Sequence, residues 1–360
     1  MVKLEWKNKQ RNAELKHPQT YDDYFTEINL QKNQTESKRE IKSSNLLFWG
    51  DNLQVLNFLN LDFKKKIDLI YIDPPFFSGS NYGIKIEYDG ETFDSIAYRD
   101  HWDKDLDSYL QMLYERLVFF KELLSDKGLL FVHLDWHASH YIRVMLDEIF
   151  GENRFVNSIV WYYYNKYSAG KQNVPRAHDD ILVYSKTNNY SLNELRIPRD
   201  KTIKQLKRVM VNGVLKNAKD ENGHVIYRTV SDKKLDDVWK IPCMQPASKE
   251  WTGFPTQKHH KLLERILLLG SNEGDLVADF FCGSGTTLLT AEKLNRRWIG
   301  CDVSKFSIYL TRKRIMDYQQ NLKNGKEVRN KFRIVTHLSD EKMQTINSGF
   351  FEKNIKFKRH

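Results

Sequence analysis

The stretch IDLIYIDPPFF, residues 67–77, decides how the rest of the sequence is interpreted. Its first six residues are apolar almost without alternation, which is typical of a strand that is buried on both faces of a parallel sheet. The strand ends at Asp73, because Pro74 and Pro75 lack the backbone N–H that a central strand donates. A rigid carboxylate and a rigid carbonyl therefore follow the strand, with the ring of Phe76 beside them.

The carboxyl end of such a strand is the place where open α/β sheets bind their ligands. Two hydrogen-bond acceptors beside an aromatic face suit a flat molecule that carries an amino group, such as a nucleobase with an exocyclic amine. A turn after a core strand, with no ligand, explains the same four residues equally well. This stretch alone does not separate the two interpretations.

The composition indicates a globular chain with a basic surface. The 360 residues are 40% hydrophobic and carry a formal charge of +10, which favours a polyanionic partner, although a solvated lysine-rich surface has the same charge. Cys243, Cys282 and Cys301 do not have the number or spacing of a disulfide framework or a zinc knuckle. No apolar run approaches the roughly 20 residues of a membrane span, and no signal core begins the chain. We therefore expect a cytoplasmic protein and no membrane partner.

Strand and helix patterns alternate after residue 45. Apolar residues at three- and four-residue steps predict a helix over 106–124, a strand follows at 129–134, and a second helix covers 139–150. This alternation predicts an α/β fold with a largely parallel, doubly wound sheet. We interpret the turn-forming stretch 78–102 as a loop that closes over the site. In the polar N-terminal arm we expect one short helix, around 21–30.

The alternation fades in a basic segment, residues 186–250. Between 196 and 228 it holds nine Lys or Arg residues against three acidic ones. A basic, irregular segment between two α/β portions suits contacts with nucleic-acid phosphates, although a solvated loop region is the alternative. The residues that we expect to contact DNA are Lys201, Lys204, Lys207 and Arg208.

A group of possible metal ligands follows the strand at 129–134. His133, Asp135, His137 and His140 lie close together in the sequence, but no further ligand pair at a typical zinc spacing accompanies them. We therefore expect no metal site. Because His133 and Asp135 are at the carboxyl end of a strand, we expect one of them to line the same cleft as Asp73.

A second ligand-binding pattern lies at residues 275–287, DLVADFFCGSGTT. It predicts a strand, a glycine turn, and a helix that begins at Thr286. The glycines allow the backbone to approach a ligand, and the helix N-terminus presents free N–H groups. Asp302, 17 residues beyond Gly285 at the end of the next strand, can accept both hydroxyls of a ribose. The missing third glycine argues against NAD and for S-adenosylmethionine, which has no pyrophosphate.

The order of these motifs resembles the β-group amino-methylating DNA methyltransferases, which include type II and type III modification enzymes of bacterial restriction–modification systems. The shared order is Asp-Pro-Pro-Phe, a basic variable region, Pro-Thr-Gln-Lys at 255–258, and the glycine-rich motif at 279–287. The likeness covers most of residues 46–315. Phe280 and His259 stand where this family often has proline, which affects only the local shape of two loops.

The resemblance implies a circularly permuted, Rossmann-like methyltransferase sheet with an inserted target-recognition region. It implies that Asp302 binds the ribose of S-adenosylmethionine and that Thr256 and Lys258 approach its methionine end. The motif residues implied to hold this cofactor are Asp279, Phe281, Cys282, Gly283, Gly285 and Thr286. The residues implied to act on the target base are Asp73, Pro74, Pro75 and Phe76.

The predicted function is site-specific methylation of double-stranded DNA at adenine N6, after the base is flipped out of the helix. In the family, Asp at the first motif position usually accompanies adenine N6, and Ser more often accompanies cytosine N4. A cytosine-N4 enzyme and a non-catalytic DNA-binding specificity partner are the alternatives. The resemblance also allows a cognate restriction endonuclease and a homodimer. The expected domains are an arm (1–44), a catalytic half (45–185), a target-recognition region (186–250), a cofactor-binding half (251–320) and a basic tail (321–360).

Overall fold

The computed structural model describes most of the chain, in two compact units. The described residues are 3–10, 25–27, 44–77, 81–88, 91–99, 105–166, 174–322, 332–337 and 356–357. The smaller unit, here called the insert unit, is Asn193–Asp237. The larger unit consists of the chain before and after it.

Strands and helices alternate through much of the larger unit. The strands are β1 (Phe25–Glu27), β2 (Asn45–Trp49), β3 (Ile67–Ile72), β4 (Asn81–Tyr88), β5 (Glu91–Arg99), β6 (Leu124–Leu134), β7 (Phe155–Tyr162), β8 (His178–Ser185), β9 (Arg196–Leu206), β10 (Arg208–Val211), β11 (Val214–Asn217), β12 (Tyr227–Lys234), β13 (Val238–Lys240), β14 (Leu276–Asp279), β15 (Arg297–Asp302), β16 (Phe332–His337) and β17 (Lys356–Phe357). The helices are α1 (Asn52–Asp62), α2 (Leu106–Leu123), α3 (Ser139–Phe150), α4 (His260–Gly270), α5 (Thr286–Lys293) and α6 (Lys305–Leu322).

Ten of the described strands form one mixed sheet, in the order β1-β16-β2-β15-β14-β3-β6-β8-β7-β13. Its centre, from β16 to β6, is parallel, and β8 runs antiparallel to both β6 and β7. The chain leaves β3 through α2 towards β6, and it leaves β14 through α5 in the opposite direction, towards β15. The strand order therefore reverses between β14 and β3, where a doubly wound sheet opens a ligand crevice.

β3 is buried on both faces, as its continuous apolar run predicts. Ile70 and Ile72 belong to the core cluster with α1, α2 and α3. On the other face, Leu69 lies next to Gly270 at the end of α4. The fold class is therefore the predicted doubly wound α/β sheet, with the glycine-rich strand β14 beside the strand that leads to Asp73.

The N-terminal segment 3–10 packs on α2 and α3. Lys9 Nζ lies 2.8 Å from the Glu148 carboxylate, and both side chains are largely buried. The same ammonium lies over the ring of Trp6, 4.4 Å from its centre. A buried ion pair that loses one partner leaves an uncompensated charge, so this segment is a structural part of the larger unit.

Three predicted segments differ from the structure. The helix expected around 21–30 is wrong for Phe25–Glu27, which is β1 and pairs with β16; the flanking positions of that helix lie outside the described residues. The expected loop at 78–102 contains β4 and β5, which form an antiparallel hairpin. The expected tail contributes β16 to the main sheet, beside β2. Each difference depends on strand pairing, which local patterns do not reveal.

The insert unit is built from β-hairpins, whereas the sequence suggested irregular backbone. β9 pairs with β12, and β10 pairs with β11 around a tight turn at Asn212 and Gly213. Both turn residues have positive φ, which two-residue hairpin turns require. The unit lies inside the predicted region 186–250. Within the part of the chain that the structure describes, no helix is long and apolar enough to cross a membrane.

Gly285 shows how tightly the turn before α5 is packed. It has a φ of +72°, and an added Cβ would overlap the side chain of Thr311. Gly274 has a φ of +82° with open space around it. We expect Gly285→Ala to lower the free energy of unfolding by about 1–3 kcal/mol more than Gly274→Ala, because only the first adds overlap to backbone strain. Urea denaturation of both variants tests this, and equal losses would contradict it.

Candidate active site

Two strand ends meet at the point where the strand order reverses. Asp73 directly follows β3, and Asp279 ends the neighbouring strand β14. A cavity of about 800 Å³ opens at these ends. The residues predicted to act on the target base all line it, namely Asp73, Pro74, Pro75 and Phe76. The turn itself is held by the Tyr109 hydroxyl, which donates to the Pro75 carbonyl at 2.8 Å.

The two carboxylate oxygens of Asp73 have different environments. Lys258 Nζ donates to Oδ2, and the ammonium also lies over the ring of Phe76, 5.4 Å from its centre. Oδ1 is buried and has no hydrogen-bond partner in the structure. A buried acceptor without a partner is costly, on the order of 1–3 kcal/mol. Asp73 as a residue lines the cavity, whereas Oδ1 itself is shielded from solvent, 3.7 Å from Nδ1 of the buried His133.

The glycine-rich loop forms the opposite wall of the cavity. Gly285 is the one predicted motif residue that does not line it, because it sits at the start of α5 and packs on Thr311. A side chain at Gly283 would press on the ring of Phe254, which also borders the cavity. The predicted motif residues that do line the cavity are Asp279, Phe281, Cys282, Gly283 and Thr286.

Asp279 and Asp302 bring two buried carboxylates to this wall. Burial raises the pKa of Asp279 to about 7, against hydrogen bonds from Thr287 and from the Phe281 N–H that lower it. Burial also raises the pKa of Asp302. The Asp302 oxygens accept backbone N–H groups from Gly283 and Ser304, each at 2.8 Å.

These bonds tie the end of β15 to the glycine-rich loop. Each oxygen of Asp302 keeps a second lone pair. Its predicted contact with ribose hydroxyls therefore stays a prediction.

The Pro-Thr-Gln-Lys segment supplies a third part of the wall. Thr256 and Lys258 line the cavity, as their predicted role requires. Gln257 instead points into the protein, where its amide oxygen accepts from the Thr252 N–H at 2.8 Å and its amide nitrogen donates to the Glu250 carbonyl at 2.8 Å. Gln257 therefore shapes the segment that presents Lys258 to Asp73.

Sequence reasoning missed two arginines that hold the cavity walls. Arg314 Nη1 donates to the Ser284 carbonyl at 2.5 Å and lies 3.1 Å from Thr286 Oγ1. Ser307, Thr311 and Arg314 are spaced so that three polar groups share one buried face of α6. This spacing is visible in the sequence and could have identified Arg314.

The second arginine borders the cavity directly. Arg116 lines the cavity and donates to Asn52 Oδ1 at 2.5 Å. Asn52 in turn donates to the Phe280 carbonyl at 2.8 Å, so Arg116 braces the loop that follows β14. We find no local pattern that marks Arg116, which sits in an otherwise ordinary amphipathic helix.

The expectation that His133 or Asp135 lines the cleft is wrong. Neither residue lines the cavity. His133 is fully buried behind Asp73, because it is the last but one residue of a strand covered on both faces. Asp135 pairs with His137 at 2.6 Å. Among the residues that the structure describes, no group of three or more His, Cys, Asp or Glu side chains could hold a metal ion.

Comparison with known proteins assigns the chain to a family. Residues 67–313 match the model of the N6/N4 DNA methylase family, described as DNA methylase. The matched segment runs from β3 through the first half of α6, and it contains both strand ends that form the cavity. The chain belongs to this family.

Individual relatives agree with this assignment. The chain is 30% identical over 322 residues to the type II methyltransferase M.EcaI of Enterobacter cloacae, covering 75% of this chain and 69% of the relative. It is 29% identical over 259 residues to the type II methyltransferase M.HpaI of Haemophilus parainfluenzae, covering 70% and 69%. Among solved structures it is similar to an M1.HpyAVI–SAM complex, with 21% identity, a TM-score of 0.48, and coverage of 75% of this chain and 98% of that one.

Family membership makes the chain a DNA methyltransferase of the N6/N4 class, which takes its methyl group from S-adenosylmethionine and has DNA as its substrate. The site fits this cofactor in one observable respect. Gly283 has no side chain where the loop borders the cavity beside Phe254, and Gly285 has none where the loop packs on Thr311 of α6. Buried carboxylates, moreover, suit a ligand that carries positive charge.

The raised pKa of Asp279 gives the stability of the protein a pH dependence. Its folded-state pKa of about 7 lies above the ordinary 3.8, so the folded protein holds a proton that the unfolded chain has lost. The contribution of Asp279 to the free energy of unfolding is complete below about pH 4. It falls as the pH rises towards 7, by about 4 kcal/mol at most. We expect Asp279→Asn to flatten this decline in cofactor-free protein.

Denaturation at several pH values between 4 and 8 measures the effect. Asp51→Asn is the control, because Asp51 borders the same cavity but is half-exposed, and it should keep the wild-type slope. An Asp279→Asn variant with the wild-type slope would show that this carboxyl does not titrate in the range.

Proposed function

We propose that the protein methylates the N6 amine of adenine at specific sites in double-stranded DNA. The observation that carries this proposal is the Asp73 carboxylate, which directly follows β3 at the wall of the cavity that the glycine-rich loop also lines. A carboxylate at this point suits an amino group brought close to a bound methyl donor. The family's frequent pairing of Asp at this position with adenine supports adenine over cytosine.

Asp73 would orient the amine and would not act as a nucleophile. The lone pair of an exocyclic amine is delocalised into the ring, so it must turn out of the ring plane before it can react. Asp73 Oδ1 and the Pro74 carbonyl would accept the two N–H bonds and stabilise the positive charge that develops on nitrogen. S-adenosylmethionine, when bound, supplies a methyl group on a sulfonium. Holding the two reactants in line provides much of the remaining acceleration.

Phe76 would hold the base while this happens. A base inside a duplex cannot reach a cavity at the end of a sheet, so it must be flipped out, at a cost of a few kcal/mol. Stacking on an aromatic ring returns on the order of 1–3 kcal/mol. Lys258 lies over the same ring and pairs with Asp73, so it would keep the ring and the carboxylate in a fixed relation.

The modified base is identified by digesting DNA from cells that express the protein and analysing the nucleosides. We expect N6-methyladenine, and single-molecule sequencing of the same DNA gives the recognition site. N4-methylcytosine would instead establish the alternative activity. DNA without either base would leave the non-catalytic specificity partner as the explanation.

Asp73→Asn tests the role of the carboxylate in the same assay. We expect the methyl-transfer rate to fall by about two to three orders of magnitude, because the buried negative charge is lost. Binding of S-adenosylmethionine should change little by calorimetry. Asp126→Asn, at an exposed carboxylate, is the matched control. Methylation by Asp73→Asn at the wild-type rate would remove Asp73 from the mechanism.

We also propose that the insert unit contacts the DNA backbone. Residues 201–219 contain six Lys or Arg and no Asp or Glu. Lys201, Lys204, Lys207 and Arg208 are all exposed, and they lie on or beside β9 and β10. A two-stranded ribbon such as β10–β11 is one of the elements that fit the major groove. A cognate endonuclease and a homodimer belong to the same proposal as partners, on the family resemblance.

Reversing three charges of the insert unit tests its role. In Lys204→Glu/Lys207→Glu/Arg208→Glu we expect weaker DNA binding. If each side chain contacts one phosphate, the salt slope should fall by about 3 in magnitude, since each contact contributes about 0.9. Lys127→Glu, on the exposed turn inside β6, serves as the control. An unchanged affinity and salt slope in the triple variant would exclude this surface from binding.

A further inference from the structure

A buried histidine lies directly behind the Asp73 carboxylate. His133 is fully buried, and its Nδ1 is 3.7 Å from Asp73 Oδ1, too far for a hydrogen bond. The same ring lies 5.7 Å from the ring of Phe76, centre to centre, and meets Trp161 edge-on at 5.3 Å. His133 therefore borders both residues that the proposed function assigns to the target base.

Both nitrogens of this imidazole have partners. The Tyr71 hydroxyl is 2.9 Å from Nδ1, and Asp179 Oδ2 is 3.2 Å from Nε2. The other oxygen of Asp179 accepts from the Tyr163 hydroxyl at 3.1 Å. These four side chains come from neighbouring strands, because β3, β6, β8 and β7 are consecutive in the sheet. They form a row at its carboxyl edge.

The partners determine which nitrogen carries the proton. Burial alone would raise the pKa of Asp179, but its hydrogen bond with His133, the charge of Lys258 and its hydrogen bond with Tyr163 lower it below its ordinary value. An ionised carboxylate can only accept, so Nε2 carries the hydrogen. Burial, followed by the charge of Asp73, raises the pKa of Tyr71 well above its ordinary value. Its hydroxyl therefore keeps a proton to donate to Nδ1.

We propose that Asp179 holds His133 in the Nε2–H form so that the imidazole donates no hydrogen bond to Asp73, which leaves the charge of that carboxylate for the target amine. The inference rests on the proposed function, and it makes His133 and Asp179 positioning residues. A proton on Nδ1 would lie between the Tyr71 oxygen and Asp73 Oδ1, and it would compete with the amine for the carboxylate. An acidic residue fixes the tautomer of a histidine in the same way in hydrolase triads.

Charged groups surround the pair of His133 and Asp73. The titratable groups that face His133 are Tyr71 and Asp73 from the β3 side, Asp179 from β8, Tyr163 after β7, and Lys258 next to Asp73. With a neutral imidazole, the two carboxylates and the one ammonium leave a net charge of −1. This negative charge would stabilise the amine as it becomes positive.

The tautomer can be measured on the unaltered protein. Nitrogen-15 NMR of histidine-labelled protein, with the His133 ring assigned from its contacts with Trp161 and Tyr71, should show the proton on Nε2 at neutral pH. A proton on Nδ1 would overturn the proposal. This measurement needs no enzyme activity, so its outcome is independent of whether the protein methylates DNA.

Asp179→Asn tests the consequence for methyl transfer. The amide can present its NH₂ to Nε2 and drive the proton onto Nδ1. We expect the single-turnover rate at pH 8 and saturating S-adenosylmethionine to fall about 10- to 100-fold, as for other residues that orient a catalytic group. Affinities for S-adenosylmethionine and for duplex DNA carrying the sequenced site should stay within twofold. Nitrogen-15 NMR of the variant should show the proton on Nδ1 of His133.

Asp135→Asn is the matched control, since Asp135 is a carboxylate two residues after His133 that pairs with a different histidine. It should retain the wild-type rate and the His133 proton on Nε2. A purely structural Asp179 would lower the thermal midpoint and the rate while the variant keeps the His133 proton on Nε2, and that result would overturn the proposal. So would an Asp179→Asn variant with the wild-type rate. Wild-type protein that methylates no DNA would refute the proposed function instead.

Discussion

The ion pair between Asp73 and Lys258 is the contact on which the site depends. Its two members are 185 residues apart and come from parts of the chain that lie on either side of the insert unit. They meet because β3 and β14 are neighbours in the sheet, which brings the carboxyl end of β3 to the wall that the glycine-rich loop forms. Lys258 takes one oxygen of the carboxylate, and the other is buried without a hydrogen-bond partner.

Local patterns predicted the elements that meet at this point. A continuous apolar run followed by two prolines strongly predicts a buried strand that ends before the prolines. The glycine turn before Thr286 likewise predicted where α5 begins. The same patterns were silent on pairing between distant segments. β16 joins the sheet next to β2, and β4 and β5, within the stretch 78–102, pair as a hairpin. In both cases a strand satisfies the backbone hydrogen bonds of a partner strand, and no local signal in the sequence identifies that partner.

Residues that contact the cavity were easier to predict than residues that hold them in place. Asp73, Asp279 and Asp302 stand at strand ends, where a carboxylate after an apolar run is conspicuous. Asp179 is one of two consecutive aspartates at the start of an antiparallel strand, and nothing near it in the sequence shows that β8 lies beside β6. Its meeting with His133 is a consequence of sheet order, so only the structure reveals it.

Burial of charge links the stability of this site to its occupancy. Asp279 and Asp302 both have raised pKa values because burial disfavours their charged forms, and Asp73 keeps one oxygen without a partner. Buried carboxylates of this kind lower the stability of the folded protein relative to apolar groups in the same places. S-adenosylmethionine carries a sulfonium and an ammonium, and a ligand that binds only the folded state stabilises it more strongly as its affinity rises. The carboxylates that lower stability are therefore those that favour a cationic methyl donor over a neutral molecule of the same shape.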